Sequence, residues 1–104
     1  MARTQSSNQD VPDLQPIVTA LYDPDCRTII RTLDGQMRTD EIADAADIPL
    51  STAYRKLDLL TEASLLKEET DIRPDGQHTS SYRLAFEEVI IGLGENREFE
   101  IDIK

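Results

Sequence analysis

Two amphipathic helical segments separated by a tight turn span residues 39–60, and this pattern constrains the fold more than any other. Apolar side chains recur at helical spacing in both segments, and Ile48 lies at the corner between them. The small side chains of Ala43 and Ala53 allow the two helices to cross closely. The apolar positions are Ile42, Ala43, Ala46, Ala53, Leu57 and Leu60. The pattern predicts two helices packed around a shared apolar seam.

The second of these helices is predicted at about residues 49–63, and its outer side is polar. Hydroxyl groups, an aromatic ring and two cations lie near its N-terminus, at Ser51, Thr52, Tyr54, Arg55 and Lys56. Such side chains suit the major groove of DNA, where cations donate to guanine and hydroxyls to phosphate. The spacing is that of a helix-turn-helix with a recognition helix. The alternative is an ordinary two-helix corner in a small α domain.

The size and composition of the chain limit what this motif can belong to. The chain has 104 residues, the length of one domain, and 38% of them are hydrophobic with no tryptophan. We therefore expect a small aliphatic core. No apolar run is long enough to cross a bilayer, and the N-terminus lacks the apolar segment of a secretory signal. These features predict a cytoplasmic protein with no membrane association.

Cysteine and histidine are too few for the common metal sites. Cys26 is the single cysteine, so it cannot form an internal disulfide, and its helical register with Ile29 and Leu33 predicts a core residue. A redox-sensing thiol is the alternative. His78 is the single histidine and has no cysteine at ligand spacing. The sequence predicts no metal and no cofactor, and it shows no paired nucleophile and base that would indicate an enzyme.

The acidic charge of the chain bears directly on its partners. Twelve Asp and nine Glu outnumber three Lys and eight Arg, which gives a net charge of −10. DNA-binding proteins are normally basic because phosphate contacts supply much of their affinity. An Asp-rich, Lys-poor balance is nevertheless typical of proteins from extreme halophiles. At 1 M salt the Debye length is about 3 Å, so an acidic surface repels DNA little.

Carboxylates are missing from two intervals, residues 48–57 and 76–86. The first interval falls in the second helix of the pair and carries Arg55 and Lys56. The second interval carries His78 and Arg83. The absence of acidic residues from both intervals predicts that these segments face DNA.

Further helices are predicted before the helix pair. Residues 1–12 are polar and aperiodic, which predicts a disordered arm. A short helix is expected at about 14–21 and a second at about 24–33, with Asp23 as the N-cap of the second. In the turn of the helix pair, Asp47 occupies the position that usually requires a positive φ.

Beyond residue 65 the apolar period changes to that of strands. Residues 65–70 and 79–84 are predicted to be two strands around a turn with a strong Pro-Asp-Gly signal. A β-hairpin directly after a helix-turn-helix is the wing of a winged helix. Its tip presents Arg73, Gln77 and His78, which either reach a phosphate or the minor groove or are simply solvated.

The C-terminal residues 86–104 are ambiguous between helix and strand. Phe99, Ile101 and Ile103 alternate with acidic residues, which favours strands. We predict two strands joined near residues 94–97, with apolar faces that pack either on the domain's own helices or on a second subunit. The predicted fold class is α+β, mainly α. It comprises an arm over residues 1–12, a winged helix-turn-helix domain with a β-hairpin wing over 13–85, and a C-terminal β extension over 86–104.

The elements over about residues 20–85 together resemble the winged helix-turn-helix transcriptional regulators, especially the ArsR-like versions common in halophilic archaea. The resemblance rests on segments 21–33, 40–43, 48–57 and 60–66. It implies a homodimer with two recognition helices in successive major grooves, and DNA-facing positions at Leu50, Ser51, Tyr54, Arg55 and Lys56. Metal-sensing members use a cysteine pair that this chain lacks. With no added ligand domain, the resemblance implies no obvious small-molecule effector.

These observations lead to a principal hypothesis and a rival. The first is a sequence-specific transcriptional regulator that binds double-stranded DNA as a homodimer, assembled through the first helix and the C-terminal strands. The rival is a winged-helix module that binds another protein without direct DNA contact. The candidate DNA contacts are Thr39, which is predicted to cap the first helix of the pair, and Leu50, Ser51, Thr52, Tyr54, Arg55, Lys56, Arg73, Gln77 and His78.

Overall fold

The computed structural model describes residues 13–104, so the predicted arm over residues 1–12 lies outside the described residues. Four helices and five strands follow one another along this part of the chain. They are α1 (Leu14–Tyr22), α2 (Pro24–Thr32), β1 (Met37–Arg38), α3 (Thr39–Ala46), α4 (Leu50–Glu62), β2 (Leu66–Ile72), β3 (His78–Leu84), β4 (Val89–Leu93) and β5 (Phe99–Ile103). The predicted α+β class is confirmed, as is the winged helix-turn-helix with additional C-terminal strands.

Asp23 separates α1 from α2 and caps the second helix. Its Oδ1 accepts hydrogen bonds from the backbone N–H groups of Asp25, at 2.8 Å, and Cys26, at 3.2 Å. Pro24 takes the first helical position, where a missing N–H group leaves no hydrogen bond unmade. The predicted N-cap is therefore confirmed.

The predicted cap of α3 is wrong by one residue. Arg38, not Thr39, is the N-cap: its backbone is extended and its N–H group donates to Glu41 Oε1 at 2.8 Å. Thr39 is the first helical residue and is only 6% exposed. Its side chain is buried, and α3 packs against β3 there, so it does not face solvent. The sequence misplaced the cap because Thr is a common capping residue and Arg is not.

The wing belongs to a three-stranded antiparallel sheet of order β1-β3-β2. In it, Met37 lies opposite Tyr82 and Arg38 opposite Ser81. The sequence analysis predicted β2 and β3 but not β1. A strand of two residues is too short to show alternation, so only its pairing with β3 defines it.

The core lies between the four helices and the start of the sheet. All six apolar positions predicted for the helix pair are buried, as is Cys26. The largest fully buried side chains are Ile17, Ile29, Ile42, Leu57, Leu60 and Leu65. This core fixes α4 against α1, α2 and α3 and leaves one side of α4 exposed.

The C-terminal strands β4 and β5 form a separate two-stranded sheet, and its register places all its large apolar side chains but one on a single face. The opposed pairs on that face are Val89–Ile103, Ile91–Ile101 and Leu93–Phe99. The pairs nearest the domain pack partly on its core through Val89, Ile101 and Ile103. The distal end does not: Phe99 is 66% exposed. The prediction of two strands joined near residues 94–97 is confirmed.

Candidate nucleic-acid interface

The turn before α4 fixes the direction in which that helix leaves the core. Asp47 adopts the left-handed conformation, with φ 58°, as the sequence predicted. Its N–H group donates to the carbonyl of Asp44 at 3.2 Å, and that of Ile48 to the carbonyl of Ala43 at 3.1 Å. The next helix begins directly afterwards, with Pro49 as its N-cap.

Helix α4 has a buried side and an exposed side, as a recognition helix requires. Ala53, Leu57 and Leu60 point into the core. Four candidate contacts lie on the exposed side, namely Leu50, Ser51, Tyr54 and Arg55, and Thr52 is half-buried beside them. Within residues 13–104, Arg55 makes no ion pair and no side-chain hydrogen bond, so its guanidinium is available to a ligand.

Lys56, the other predicted cation of this helix, is not on the exposed side. Its Nζ lies 2.5 Å from Asp23 Oδ2, and the lysine side chain is only 14% exposed. The ammonium group is therefore bound within the protein, between α4 and the N-terminus of α2. The prediction that Lys56 contacts DNA stays a prediction, and such a contact would require the ammonium to leave Asp23.

The environment of Asp23 favours its ionised form. Partial burial raises the pKa of this carboxyl, but the hydrogen bond from Lys56 and those from the backbone of Cys26 and Asp25 outweigh that effect. The net result is a pKa below the ordinary value for aspartate. The capping role of Asp23 is readable from the sequence, but its bond to Lys56 is not, because the two residues are 33 positions apart.

Cys26 lies beside this ion pair and is buried. Burial, and secondarily the charge of Asp23, raises the pKa of its thiol to about 11. Its Sγ lies 3.9 Å from the carbonyl oxygen of Lys56. A buried thiol with a raised pKa is chemically inert at neutral pH, so Cys26 is a packing residue of the α2–α4 contact.

The wing tip brings the remaining candidates together on a different element. A turn over residues 73–76 is closed by the Gly76 N–H group, which donates to the carbonyl of Arg73 at 2.8 Å. Arg73, Gln77 and His78 are all exposed at this tip. Gln77 is held by its backbone N–H group, which donates to Asp75 Oδ1 at 3.0 Å.

A segment whose own sequence has no acidic residues can still have acidic neighbours in the folded protein. Strand β3 carries no carboxylate, but it pairs with β2, which places Glu68 opposite Tyr82 and Glu69 opposite Ser81. The Arg83 Nε lies 3.8 Å from Glu69 Oε2. At the start of α3, Arg38 is likewise paired with Asp40 and Glu41, at 3.3 and 3.5 Å. Several cations near the helix pair are thus engaged within the chain.

Taken together, the fold and the exposed α4 define a winged helix-turn-helix domain. A family model described as a helix-turn-helix domain matches residues 21–69. Among solved structures, the chain is similar to a protein from Methanosarcina mazei Go1 named a possible transcriptional regulator, with a TM-score of 0.54 and 20% sequence identity. The match covers 66% of this chain and 62% of that one, so this chain spans less than two thirds of its neighbour. No curated protein matches the sequence.

Two other features are absent from residues 13–104. No helix among them is both long and apolar enough to span a membrane. No group of three or more His, Cys, Asp or Glu side chains there is arranged to hold a metal ion.

Proposed function

We propose that this chain is a sequence-specific transcriptional regulator that binds double-stranded DNA as a homodimer, with α4 in the major groove. The observation that carries the proposal is the exposed side of α4, where Arg55 has no internal partner among the described residues. An arginine in this position suits bidentate hydrogen bonding to guanine. The helix-turn-helix family match and the name of the structural neighbour support the same class of function.

The proposed contacts fall into two groups. Leu50, Ser51, Thr52, Tyr54 and Arg55 face the groove from α4. Arg73, Gln77 and His78 contact phosphates or the minor groove from the wing tip. Thr39 and Lys56 are left out, because the first is buried and the second is bound to Asp23.

The homodimer is supported by apolar side chains that the isolated chain leaves exposed. The distal apolar face of the C-terminal hairpin, formed by Ile91, Leu93 and Phe99, is one such surface, and Val18 and Tyr22 on α1 form another. Strand β5 contacts α1, so the two surfaces belong to neighbouring elements. Exposed apolar side chains grouped in this way favour an interaction site. A two-fold dimer would then place two recognition helices about 34 Å apart, one turn of DNA.

The acidic surface and the likeness to ArsR-like proteins of halophilic archaea belong to the same proposal. Phosphate contacts would be few, because Lys56, Arg38 and Arg83 are paired within the chain. Affinity should therefore depend on base contacts and only weakly on salt. A protein that binds DNA mainly through base contacts can keep its affinity in molar salt, where phosphate contacts contribute little.

The rival function is binding to another protein, and the net charge of −10 together with these internally paired cations favours it. An experiment in about 2 M KCl separates DNA binding from protein binding. Binding sites are selected from random DNA and then examined by footprinting and titration. We expect a selected site to be bound by the wild type and Arg55→Ala to weaken it by about 5- to 150-fold.

Arg97→Ala is the matched control, since it removes the same charge from the exposed loop between β4 and β5. Arg97→Ala should keep an affinity for the selected DNA within about twofold of that of the wild type. Equal losses of DNA affinity in Arg55→Ala and Arg97→Ala would mean that Arg55 contributes only its positive charge and no specific base contact. Failure to select any DNA at any salt concentration would favour the protein-binding module.

A further inference from the structure

We propose that the exposed apolar pair on α4, Leu50 and Tyr54, recognises thymine through its 5-methyl group. Next to this pair, Ser51 and Arg55 form a polar row on the same side of the helix. The inference rests on the proposed DNA-binding function and adds a base preference to it.

The two apolar side chains are exposed in a region of α4 that is otherwise polar. Leu50 is 48% exposed and Tyr54 is 54% exposed, and neither belongs to the hydrophobic core or to the side chains packed against it. Within residues 13–104 the Tyr54 hydroxyl makes no side-chain hydrogen bond. No role inside the described domain therefore accounts for either side chain.

Their spacing makes them one continuous surface. Leu50 and Tyr54 are four residues apart on a helix, so their Cβ atoms lie about 5–6 Å from each other on one face. Ser51 and Arg55 are spaced in the same way, one position further along. The first half of the outer side of α4 thus has an apolar row beside a polar row that carries Arg55, and exposed Asp58 follows one turn later.

The chemistry of the major groove offers one apolar partner for such a row. Of the four bases, thymine presents a methyl group there, while the others present hydrogen-bond donors and acceptors. Arg55 in the adjacent row matches the two acceptors of guanine. The arrangement therefore favours sites in which thymine lies beside guanine.

The charge around the apolar row favours DNA over an apolar protein surface as its occupant. No carboxylate occurs from Ile48 to Leu57, although the chain carries 21 in total. Leu50 lies at the N-terminal end of α4, where the helix dipole is positive, and Arg55 is exposed in the adjacent row. The guanidinium of Arg55 and the positive end of the helix dipole complement phosphate at this end of α4, and exposed Asp58, four residues after Tyr54, marks where that region ends.

The test uses the full chain and the best site selected from random DNA. Each thymine of that site is replaced in turn by 2′-deoxyuridine, which removes only the methyl group and keeps the base pair. Because burying one methyl or methylene group is worth about 0.8 kcal/mol, we expect a loss of about fourfold in affinity at one or two positions per half-site.

Two sets of variants assign the effect to side chains. Leu50→Ala and Tyr54→Ala should bind the thymine and uracil sites equally well, whereas Tyr54→Phe should keep the preference for thymine because it keeps the ring. Arg55→Ala should also keep that preference, although its overall affinity falls. Arg55→Ala should instead lose its sensitivity to 7-deazaguanine, which lacks the N7 acceptor.

The outcomes separate this inference from the function on which it rests. If uracil replaces every thymine without loss while Arg55→Ala still weakens binding, thymine recognition is wrong and the DNA-binding function stands. Full thymine preference in both alanine variants of Leu50 and Tyr54 would likewise overturn the assignment to these residues. If no DNA is selected at all, both proposals fail, and the exposed pair belongs to a protein interface.

Discussion

Lys56 and Asp23 join α4 to the N-terminus of α2 through an ion pair with an Nζ–Oδ2 distance of 2.5 Å. Asp23 uses its two oxygens for different tasks: Oδ1 caps α2 and Oδ2 binds the lysine. The two residues are 33 positions apart in sequence. The pair therefore stabilises one particular placement of α4 against α2.

Lys56→Met is expected to lower the free energy of unfolding by about 1–3 kcal/mol. The pair is mostly but not fully buried, so the effect should lie between that of a surface pair and that of a buried one. At about 4–8 °C per kcal/mol, the change is easily seen in a thermal melt followed by circular dichroism. Lys67→Met is the control, because Lys67 is exposed on β2 and makes no ion pair within residues 13–104. Equal melting temperatures for the two variants would contradict a structural role for the pair.

The contribution of the ion pair should disappear in acid. The pKa of Asp23 is lowered in the folded protein, so its ionisation stabilises the fold above the unfolded pKa of about 3.9. That stabilisation is lost as the pH falls through the lower pKa of the folded state. Asp23→Asn keeps a good capping side chain without the charge. The difference in unfolding free energy between wild type and Asp23→Asn should therefore shrink below about pH 4, and a constant difference down to pH 2 would refute this account.

Cys26 is expected to resist thiol reagents while the protein is folded. With a pKa of about 11, its thiol is almost entirely protonated at pH 8, and it is also buried. Ellman's reagent should label it only after unfolding in guanidinium chloride. Labelling of the native protein at the rate of an exposed cysteine would reopen the redox-sensing alternative for this residue.

The distal apolar face of the C-terminal hairpin should control the oligomeric state. We expect light scattering in molar KCl to give twice the chain mass of 11.7 kDa for the wild type. Leu93→Lys should give a monomer, because Leu93 lies on the apolar face at the exposed end. Ile90→Lys is the matched control, since Ile90 is exposed on the opposite face of the same strand. A wild-type mass near 11.7 kDa at micromolar concentration would refute the dimer.

Stability should rise with salt if the acidic surface is an adaptation to high ionic strength. The chain carries 21 carboxylates against 11 cations, and their mutual repulsion weakens as it is screened. The melting temperature is expected to increase between about 0.05 and 2 M KCl. A variant with Glu95 and Glu98 changed to Gln is the control, and it should show a smaller increase because it begins with less repulsion. A flat profile in the wild type would remove the halophile explanation and favour the protein-binding rival.

The elements that could be predicted from the sequence depend on short-range physics. Asp23 was identified as a cap and Asp47 as a left-handed turn residue because each acts within a few positions of itself. The seam of the helix pair followed from 3.6-residue periodicity, and all six of its positions are buried. Conversely, Thr39 was misplaced as a cap by one residue, since capping preferences alone do not show that its side chain is buried.

The tertiary structure decided which charged and apolar groups remain available to a partner. Arg55 and Lys56 are neighbours in a helix and look equivalent in the sequence, but Asp23, 33 residues from Lys56, binds only the lysine. Strand β1 likewise forms only because it pairs with β3. Glu68 and Glu69 lie beside β3 only because β2 pairs with that strand. Local periodicity determines where a helix or strand forms and which side is apolar. Contacts between distant segments determine which side chains are already satisfied inside the protein, and so which ones are left to bind.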